Sequence, residues 1–507
     1  MFMRRSGRQR ASRAPHFVLH ASLFSRTDQA QLASDCITTR HMDPQNTVQA
    51  PAPSAPAHAP QNQPHIPALQ AATERVQEKI AHLLHIESFA GMVLMLAAAA
   101  ALIWANSPWA ASYFTAWHAP VAMTLGPWSF STDLHFIVND VLMTVFFLVV
   151  GMEIRRELHD GALASFRQAS LPLIAAIGGV VVPALLYVAL IGGDRTLLNG
   201  WAIPTATDIA FAVGVLALLG RNIPASLRIF LLALAIIDDI VAVLIIAFFY
   251  SGGLQAMGFV IAGAGVLLVL LFNRMGIASA LLYVLPGAVL WFGLLKTGAH
   301  PTLAGVVLGL MTPVLMRPSS RPAMATAQQA LQSAQTQLAQ PEPDAQQVHQ
   351  QLRAVQSAQR DLLAPALRLP MLLHPWVSFG VMPVFALANA GVQFSGTDLQ
   401  SSAPQTAMWA VMIALVLGKP LGIFLATLLA VKSRLCSLPA GLNWHGVLLV
   451  GLLAGIGFTM AIFVGGLAFE DANLLGAAKL GILSASAIAA IAGLLFGVMA
   501  RSRITDR

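Results

Sequence analysis

Residues Leu227–Tyr250 read LRIFLLALAIIDDIVAVLIIAFFY. The stretch is long enough to cross a bilayer, and beyond Arg228 near its start the only charges in it are the adjacent Asp238 and Asp239. A second apolar stretch, Trp201–Gly220 (WAIPTATDIAFAVGVLALLG), has one charge, Asp208. A charge at bilayer depth costs roughly 2.5–3.5 kcal/mol on insertion scales. Three such acids, close in sequence, are hard to explain as packing. They read as a site that binds protons or metal cations inside a membrane.

Composition agrees with the membrane reading. Of 507 residues, 57% are hydrophobic and 10% charged, against about 25% charged in a soluble domain. A globular enzyme is excluded. The net charge of +7 would suggest nucleic acid in a soluble chain, but here the basic residues fall in loops and tails. No nucleic-acid partner is expected; membrane lipid is. Two cysteines, Cys36 and Cys436, support no disulfide framework, and neither is near the acids in sequence. Residues 1–35 are rich in Arg and Ser, like a transit peptide, and residues 43–68 are rich in Pro, Ala and Gln. Residues 1–85 are therefore expected to be a largely disordered extension ahead of a membrane domain over 86–502. Met42 is an alternative start.

Twelve apolar stretches qualify as spans: near 88–106, 134–152, 170–192, 200–220, 227–250, 255–273, 277–294, 300–316, 374–392, 406–431, 443–467 and 474–500. The positive-inside rule supports an even number. One set of loops holds Arg155, Arg156, Arg167, Arg221, Arg228, Arg274, Arg317, Arg321, Arg353, Arg360, Arg368, Lys432 and Arg434, while the loops at 107–133 and 393–405 have no Lys or Arg. Arg195 and Lys296 are exceptions. Both tails are basic, so both termini are expected in the cytoplasm. The long loop at 317–372 is read as a cytoplasmic Ala/Gln-rich insertion between spans eight and nine. Leu331, Ala334 and Leu338 share one helical face there, and Val348, Leu352 and Val355 another, so a helical hairpin is expected; a flexible low-complexity insert is the alternative.

Depth follows from counting. Asp208 lies 16 residues before Pro224 and Asp238 lies 14 after it. At ~1.5 Å per residue these are ~24 and ~21 Å from one turn, which puts both carboxylates near mid-membrane. Adjacent residues on a helix point about 100° apart, so Asp238 and Asp239 face different neighbours. Lys419, in Met408–Val431, is the one basic residue central to a span, and Asp238–Lys419 is the simplest pairing. A fixed ion pair that only holds helices together remains the plain alternative for Lys419. Broken helix is expected in span four, where Pro204 precedes Thr205, Thr207 and Asp208, and in span eleven, where Gly455, Gly457 and Thr459 interrupt LLAGIGFTMAIFV. Asp208 would then offset positive half-helix ends and Lys419 negative ones.

Several motifs in one order carry a resemblance over roughly residues 80–500. They are Val138–Asp140 (VND), Phe146–Leu158 (FFLVVGMEIRREL), Ala206–Ala212 (ATDIAFA), Leu234–Asp239 (LAIIDD), Gly298–Leu310 (GAHPTLAGVVLGL), Leu373–Val377 (LHPWV), Phe385–Val392 (FALANAGV), Gly418–Ile423 (GKPLGI) and Gly455–Phe463 (GIGFTMAIF). The chain resembles the NhaA-type Na⁺/H⁺ antiporters, which are themselves a standard example of inverted-repeat transporters with a midplane site. The resemblance implies an all-α polytopic fold of twelve transmembrane helices with two broken crossing helices, in a bacterial inner membrane. It implies electrogenic exchange of Na⁺ or Li⁺ for H⁺, two protons per Na⁺, serving sodium and pH homeostasis. Asp239 would be the principal cation ligand and Asp238 its partner, paired with Lys419 when the cation is absent. Thr207 and Asp208 would belong to the unwound crossing segment of the cation site. Asp140 matches a carboxylate near the cytoplasmic funnel. Glu153, Arg156 and Glu157 match a charged cytoplasmic cluster linked to pH response, although their charge pattern alone equally fits a solvated helix end. No cofactor is implied beyond the transported ions. Dimers are usual in the family, which implies a homodimer.

One departure bears on pH. Some members carry Glu and His just ahead of LHPWV, where this chain has Pro370 and Met371. An altered pH profile is expected. Two other classes compete for the acids. An intramembrane aspartyl protease would use paired aspartates on adjacent spans, but the Gly-x-Gly-Asp context is missing. A cation-coupled symporter would keep the ion site and add a roomier polar cavity; the paired acids with Lys419 favour simple exchange.

Overall fold

In lipid, backbone N–H and C=O groups have no water to bond, so spanning segments must close their own hydrogen bonds as helices. The computed structural model, which describes residues 87–505 apart from 126–127, 162, 221–222, 254, 278, 315–319, 341–343, 363 and 395–399, is helical almost throughout. The expected N-terminal extension lies outside the described residues, as do the Arg221-Asn222 turn and Pro341–Pro343.

The helices run, in order, α1 (Glu87–Ala105), α2 (Ala110–Trp117), α3 (Leu134–His159), α4 (Phe166–Leu190), α5 (Ile209–Leu218), α6 (Ala225–Phe249), α7 (Ala256–Arg274), α8 (Val284–Thr297), α9 (Leu303–Met311), α10 (Ser320–Leu338), α11 (Ala345–Leu362), α12 (Pro365–Asn389), α13 (Ser402–Lys432), α14 (Trp444–Ala454), α15 (Phe458–Ala468), α16 (Ala472–Met499) and α17 (Arg501–Thr505). A 3₁₀ segment, Leu198–Thr205, precedes α5. Between α2 and α3 lies an antiparallel hairpin, β1 (Pro120–Leu125) with β2 (Trp128–Asp133), registered Pro120 to Asp133 and Leu125 to Trp128. It occupies the loop without Lys or Arg, where the sequence reading expected no regular structure.

Among the described residues, nine helical segments are long and apolar enough to cross a membrane, or up to eleven if each of two bent pairs counts as one span. The pairs are Phe89–Ala105 with Ala110–Trp117, bent by 117°, and Trp444–Ala454 with Phe458–Ala468, bent by 46°. The sequence count of twelve is longer by α9. That helix has 9 residues, because Gly298 adopts a left-handed conformation (φ +81°) and a turn over 298–302 delays the helix start to Leu303. Pro313 follows its end.

Small residues bring the helices together where the site needs them. A Cβ on Gly178 of α4 would clash with the Gly422 carbonyl oxygen of α13, and one on Gly422 with that of Gly178. Packing between lipid-embedded helices rests on such close approach, since lipid tails are as apolar as the side chains they replace. This contact sits one turn from Lys419 and fixes the height at which α13 presents it. Gly422→Val is expected to destabilise the protein by roughly 1–3 kcal/mol through overpacking, read as a lowered melting temperature in detergent. Gly466→Ala, where a Cβ meets nothing within 4 Å, should leave the melting temperature unchanged.

Candidate functional site

α6 passes unbroken through Asp238 and Asp239, whereas the chain beside them is interrupted. The 3₁₀ segment ends at Thr205, residues 206–208 are extended, and α5 starts at Ile209. Opposite, α14 stops at Ala454 and α15 starts at Phe458. The two breaks touch: the Asp208 amide donates to the Ile456 carbonyl at 2.8 Å. Each break exposes helix ends with unsatisfied backbone groups, and side chains from other elements meet them.

Asp208 serves two helix N-termini. As N-cap of α5 (φ −89°, ψ 101°) its Oδ1 accepts from the Phe211 amide at 3.0 Å. Its Oδ2 accepts from the Thr459 amide at 3.1 Å and from Thr459 Oγ1 at 2.5 Å, at the start of α15. The Phe458 amide donates to Ser486 Oγ of α16 at 3.1 Å. At the carbonyl ends, Lys419 Nζ donates to the Thr205 oxygen, and Thr207 Oγ1 lies 3.2 Å from the Ala454 oxygen. Thr205 Oγ1 bonds back to the Ala202 carbonyl at 2.7 Å.

The acids of α6 complete the site. Lys419 Nζ is 3.0 Å from Asp238 Oδ2, which also accepts from Thr207 Oγ1 at 2.7 Å. The pairing that the sequence made simplest is present. Asp208 and Asp238 are 1% exposed, Asp239 2% and Lys419 0%, so water screens none of them. Asp238 Oδ1 and Asp239 Oδ1 are buried without a hydrogen-bond partner. Asp239 lies in the field of three other carboxylates, Asp238, Glu153 and Asp208, against the single ammonium of Lys419. With three buried aspartates and one lysine the site holds two negative charges in excess when all are ionised. Buried oxygens of this kind want a proton or a hard cation.

The remaining expected residues divide between the ends of α3. Asp140 lies in a π-helical turn, Ile137–Leu142, near the β-hairpin end, with His300 Nδ1 at 3.9 Å from its Oδ1. Glu153, Arg156 and Glu157 lie toward the opposite end, so Asp140 does not join them, and its expected place beside a cytoplasmic funnel is not on the side of Arg155 and Arg156. Arg156 Nη2 reaches Glu157 Oε1 at 3.7 Å with the Arg side chain 43% exposed, a weak surface pair. Another π-helical turn, Ala414–Gly418, leads directly into Lys419; such turns recur at functional sites.

Two groups were missed by the sequence reading as site members. Thr459 was read as a helix breaker, not as the partner of Asp208. The second is a polar cluster near the hairpin end: Asn389 Nδ2 donates to Asn139 Oδ1 at 2.7 Å, and His135 Nε2 lies 3.2 Å from Asn389 Oδ1. His118 stacks on His135 with centroids 5.7 Å apart. The only forewarning was that Asn139 and Asn389 each stood inside a quoted motif.

A multi-pass helical membrane protein with a buried, charge-unbalanced site at two crossed helix breaks is a secondary transporter rather than an enzyme. The chain belongs to the Na⁺/H⁺ antiporter 1 family, whose family model matches residues 81–496. It is 60% identical over 438 residues to the Na⁺/H⁺ antiporter NhaA of Janthinobacterium sp. (strain Marseille), covering 86% of this chain and 96% of that one. It is 58% identical over 437 residues to Na⁺/H⁺ antiporter NhaA 2 of Pseudomonas putida (strain KT2440), covering 85% and 95%. It is 56% identical over 439 residues to NhaA of Cupriavidus necator, covering 86% and 94%. These relatives are bacterial, as is the membrane in which such a protein works.

Removing one member of a buried ion pair strands the other, at roughly 3–5 kcal/mol. Lys419→Met is therefore expected to lower the melting temperature of the purified protein at neutral pH, and Asp238→Asn added to it should recover most of the loss. A double variant as unstable as the single would show that Lys419 stabilises mainly through the Thr205 carbonyl.

Proposed function

We propose that this cation/proton antiporter exchanges Na⁺ or Li⁺ for H⁺ across a bacterial inner membrane by competition for the carboxylates of Asp238 and Asp239. The observation that carries the reading is the pair of unpartnered buried oxygens, Asp238 Oδ1 and Asp239 Oδ1, in a site with two negative charges in excess. Protons neutralise that excess in one state and a partly dehydrated alkali cation in the other. Asp239, which has no ammonium in direct contact, is the principal ligand. Asp238 joins it as Lys419 withdraws, and Thr207 and Asp208 border the site on the broken span. Hard oxygen donors suit Na⁺ and Li⁺. Two protons against one cation move net charge, so exchange is electrogenic.

The finer architecture belongs to the same proposal. Leu303–Met311 counts as the eighth of twelve spans arranged as inverted repeats, with spans four and eleven broken and both termini cytoplasmic. Residues 86–502 form the transport domain, residues 1–85 a largely disordered extension, and 317–372 a cytoplasmic insertion. Asp140 lines the approach from the hairpin side. Glu153, with Arg156 and Glu157, couples the cytoplasmic end to pH through the charge it places near Asp239. The protein works among lipid and as a homodimer.

Asp239→Asn is expected to abolish Na⁺-driven proton movement in everted vesicles, followed by dequenching of a pH-gradient dye; unchanged exchange would refute the ligand assignment. Ligands that must lose protons to bind make affinity pH-dependent. In wild-type vesicles the Na⁺ concentration for half-maximal dequenching should rise about tenfold per pH unit for each competing proton as pH falls through the titration of the site. A half-maximal concentration independent of pH would exclude direct competition.

A further inference from the structure

α15 begins at a helix break with no cap of its own. Gly457, the residue before it, has no side chain, and a Cβ there would stand 3.1 Å from Leu415 Cδ2 and 3.2 Å from the Ala206 carbonyl oxygen. The break is too tight for a Ser or Asp, the residues that usually satisfy the first amides of a helix. Acceptors therefore have to come from other elements, and two do. Asp208 takes the Thr459 amide and hydroxyl, and Ser486 of α16 takes the Phe458 amide at 3.1 Å.

Buried hydroxyls elsewhere on the helices bond back to their own turn. Thr427 Oγ1 donates to the Ile423 carbonyl and Thr297 Oγ1 to the Leu294 carbonyl, a common way to satisfy a hydroxyl in a helix. Ser486 is 2% exposed and, among the described residues, makes no such bond; its oxygen faces the break instead. α16 gives it a firm base. A Cβ on Gly481 would lie 2.5 Å from the Met408 carbonyl oxygen of α13, the helix that carries Lys419, and one on Gly455 would lie 3.4 Å from Ala489 Cβ. The ring of Phe458 meets that of Phe211 on α5, with centroids 5.6 Å apart, and the Phe211 amide is the other one that Asp208 caps. Ser486, Phe458, Phe211 and Asp208 thus form one chain of contacts across both broken spans.

We propose that Ser486 is a positioning residue for cation binding, a role that rests on the proposed place of Asp208 at the cation site. By taking the Phe458 amide, it keeps the N-terminus of α15 from drawing the Asp208 carboxylate away from the cation. The first amides of a helix all lack partners within it and together carry the positive end of its dipole. A buried amide left without an acceptor is costly, and for Phe458 the carboxylate held by the very next residue is at hand. An Asp208 that takes more donors from α15 has less negative charge to offer an alkali ion. Ser486 divides the load: a neutral acceptor for one amide, the carboxylate for the other.

The test compares Ser486→Ala with wild type and with Ser484→Ala, which removes the same hydroxyl from an exposed position two residues away. Full-length protein is reconstituted into proteoliposomes, and exchange is followed at the alkaline end of the active range, where protons compete least. Ser486→Ala is expected to raise the Na⁺ concentration for half-maximal exchange several-fold with little change in the maximal rate. It should raise by a similar factor the Na⁺ concentration that half-maximally stabilises the purified protein against heat. Ser484→Ala should match wild type in both. Ser486→Cys, whose sulfur accepts only weakly, should fall in between, and it carries the test should the alanine variant not fold. A lowered melting temperature with unmoved half-maximal concentrations would reduce Ser486 to a helix tether and overturn the proposal, as would an equal rise in Ser484→Ala. Asp239→Asn separates this role from the ligand reading: if it abolishes exchange while the Ser486 variants bind Na⁺ as wild type does, the positioning role alone falls.

Discussion

Everything around the site follows from a charge imbalance that water cannot relieve. Asp208, Asp238 and Asp239 are enclosed with Lys419 as the single cation among them. Coulomb repulsion among carboxylates grows as the local dielectric falls. The helix N-termini that Asp208 caps offset part of its own charge, but among the described residues no fixed ammonium is in contact with Asp239 to cancel the charge it adds beside Asp238. Something mobile has to arrive, and only protons or small cations reach such a place and leave again. The excess is therefore a built-in demand for an exchangeable ion.

The same groups also hold the backbone together. Four half-helix ends meet beside the acids, and each is met by a side chain: Asp208 at the start of α5 and, with Ser486, of α15; Lys419 at the Thr205 carbonyl; Thr207 near the Ala454 carbonyl. Interrupted helix is tolerated at this depth only where freed groups find partners. Thr207 and Lys419 in addition both reach Asp238 Oδ2. Protonation of Asp238 would loosen its hold on two residues that also brace broken helices. Ion binding and helix geometry thus share members, which is the physical link a transporter requires between occupancy and shape.

Much of this was legible in the chain. Burying Asp and Lys without partners is so costly that their presence in apolar spans announced a site, and counting from Pro224 brought Asp208 and Asp238 to one depth. Pro204 and Gly455–Gly457 marked both breaks. What stayed hidden depended on distance or on small energies. The Asp208–Thr459 bond joins residues far apart in sequence, and no local pattern encodes it. The β-hairpin at Pro120–Asp133 could have been read from the alternation of Val121, Met123, Leu125, Trp128 and Phe130, a signal passed over because the segment was counted only as a loop between spans. In the α10–α11 hairpin, Ala334, Val348 and Val355 of the expected faces are buried or half-buried, whereas Leu331, Leu338 and Leu352 of the same faces are exposed.

The difference between the two neighbouring aspartates fixes an order of events on the proposed reading. Asp238 carries its own counter-ion, since Lys419 is 3.0 Å away; Asp239 carries none. An incoming cation therefore gains most at Asp239, where no ammonium has to be displaced. Recruiting Asp238 costs the Lys419 pair, and the released ammonium keeps only the Thr205 carbonyl at the end of the 3₁₀ segment. A partial negative end of a helix is a poorer partner than a carboxylate. The occupied state thus stores part of the binding energy in a weakened contact at the broken span. That contact regains its partner when the cation leaves, so the site that attracts the ion also carries the force that returns it.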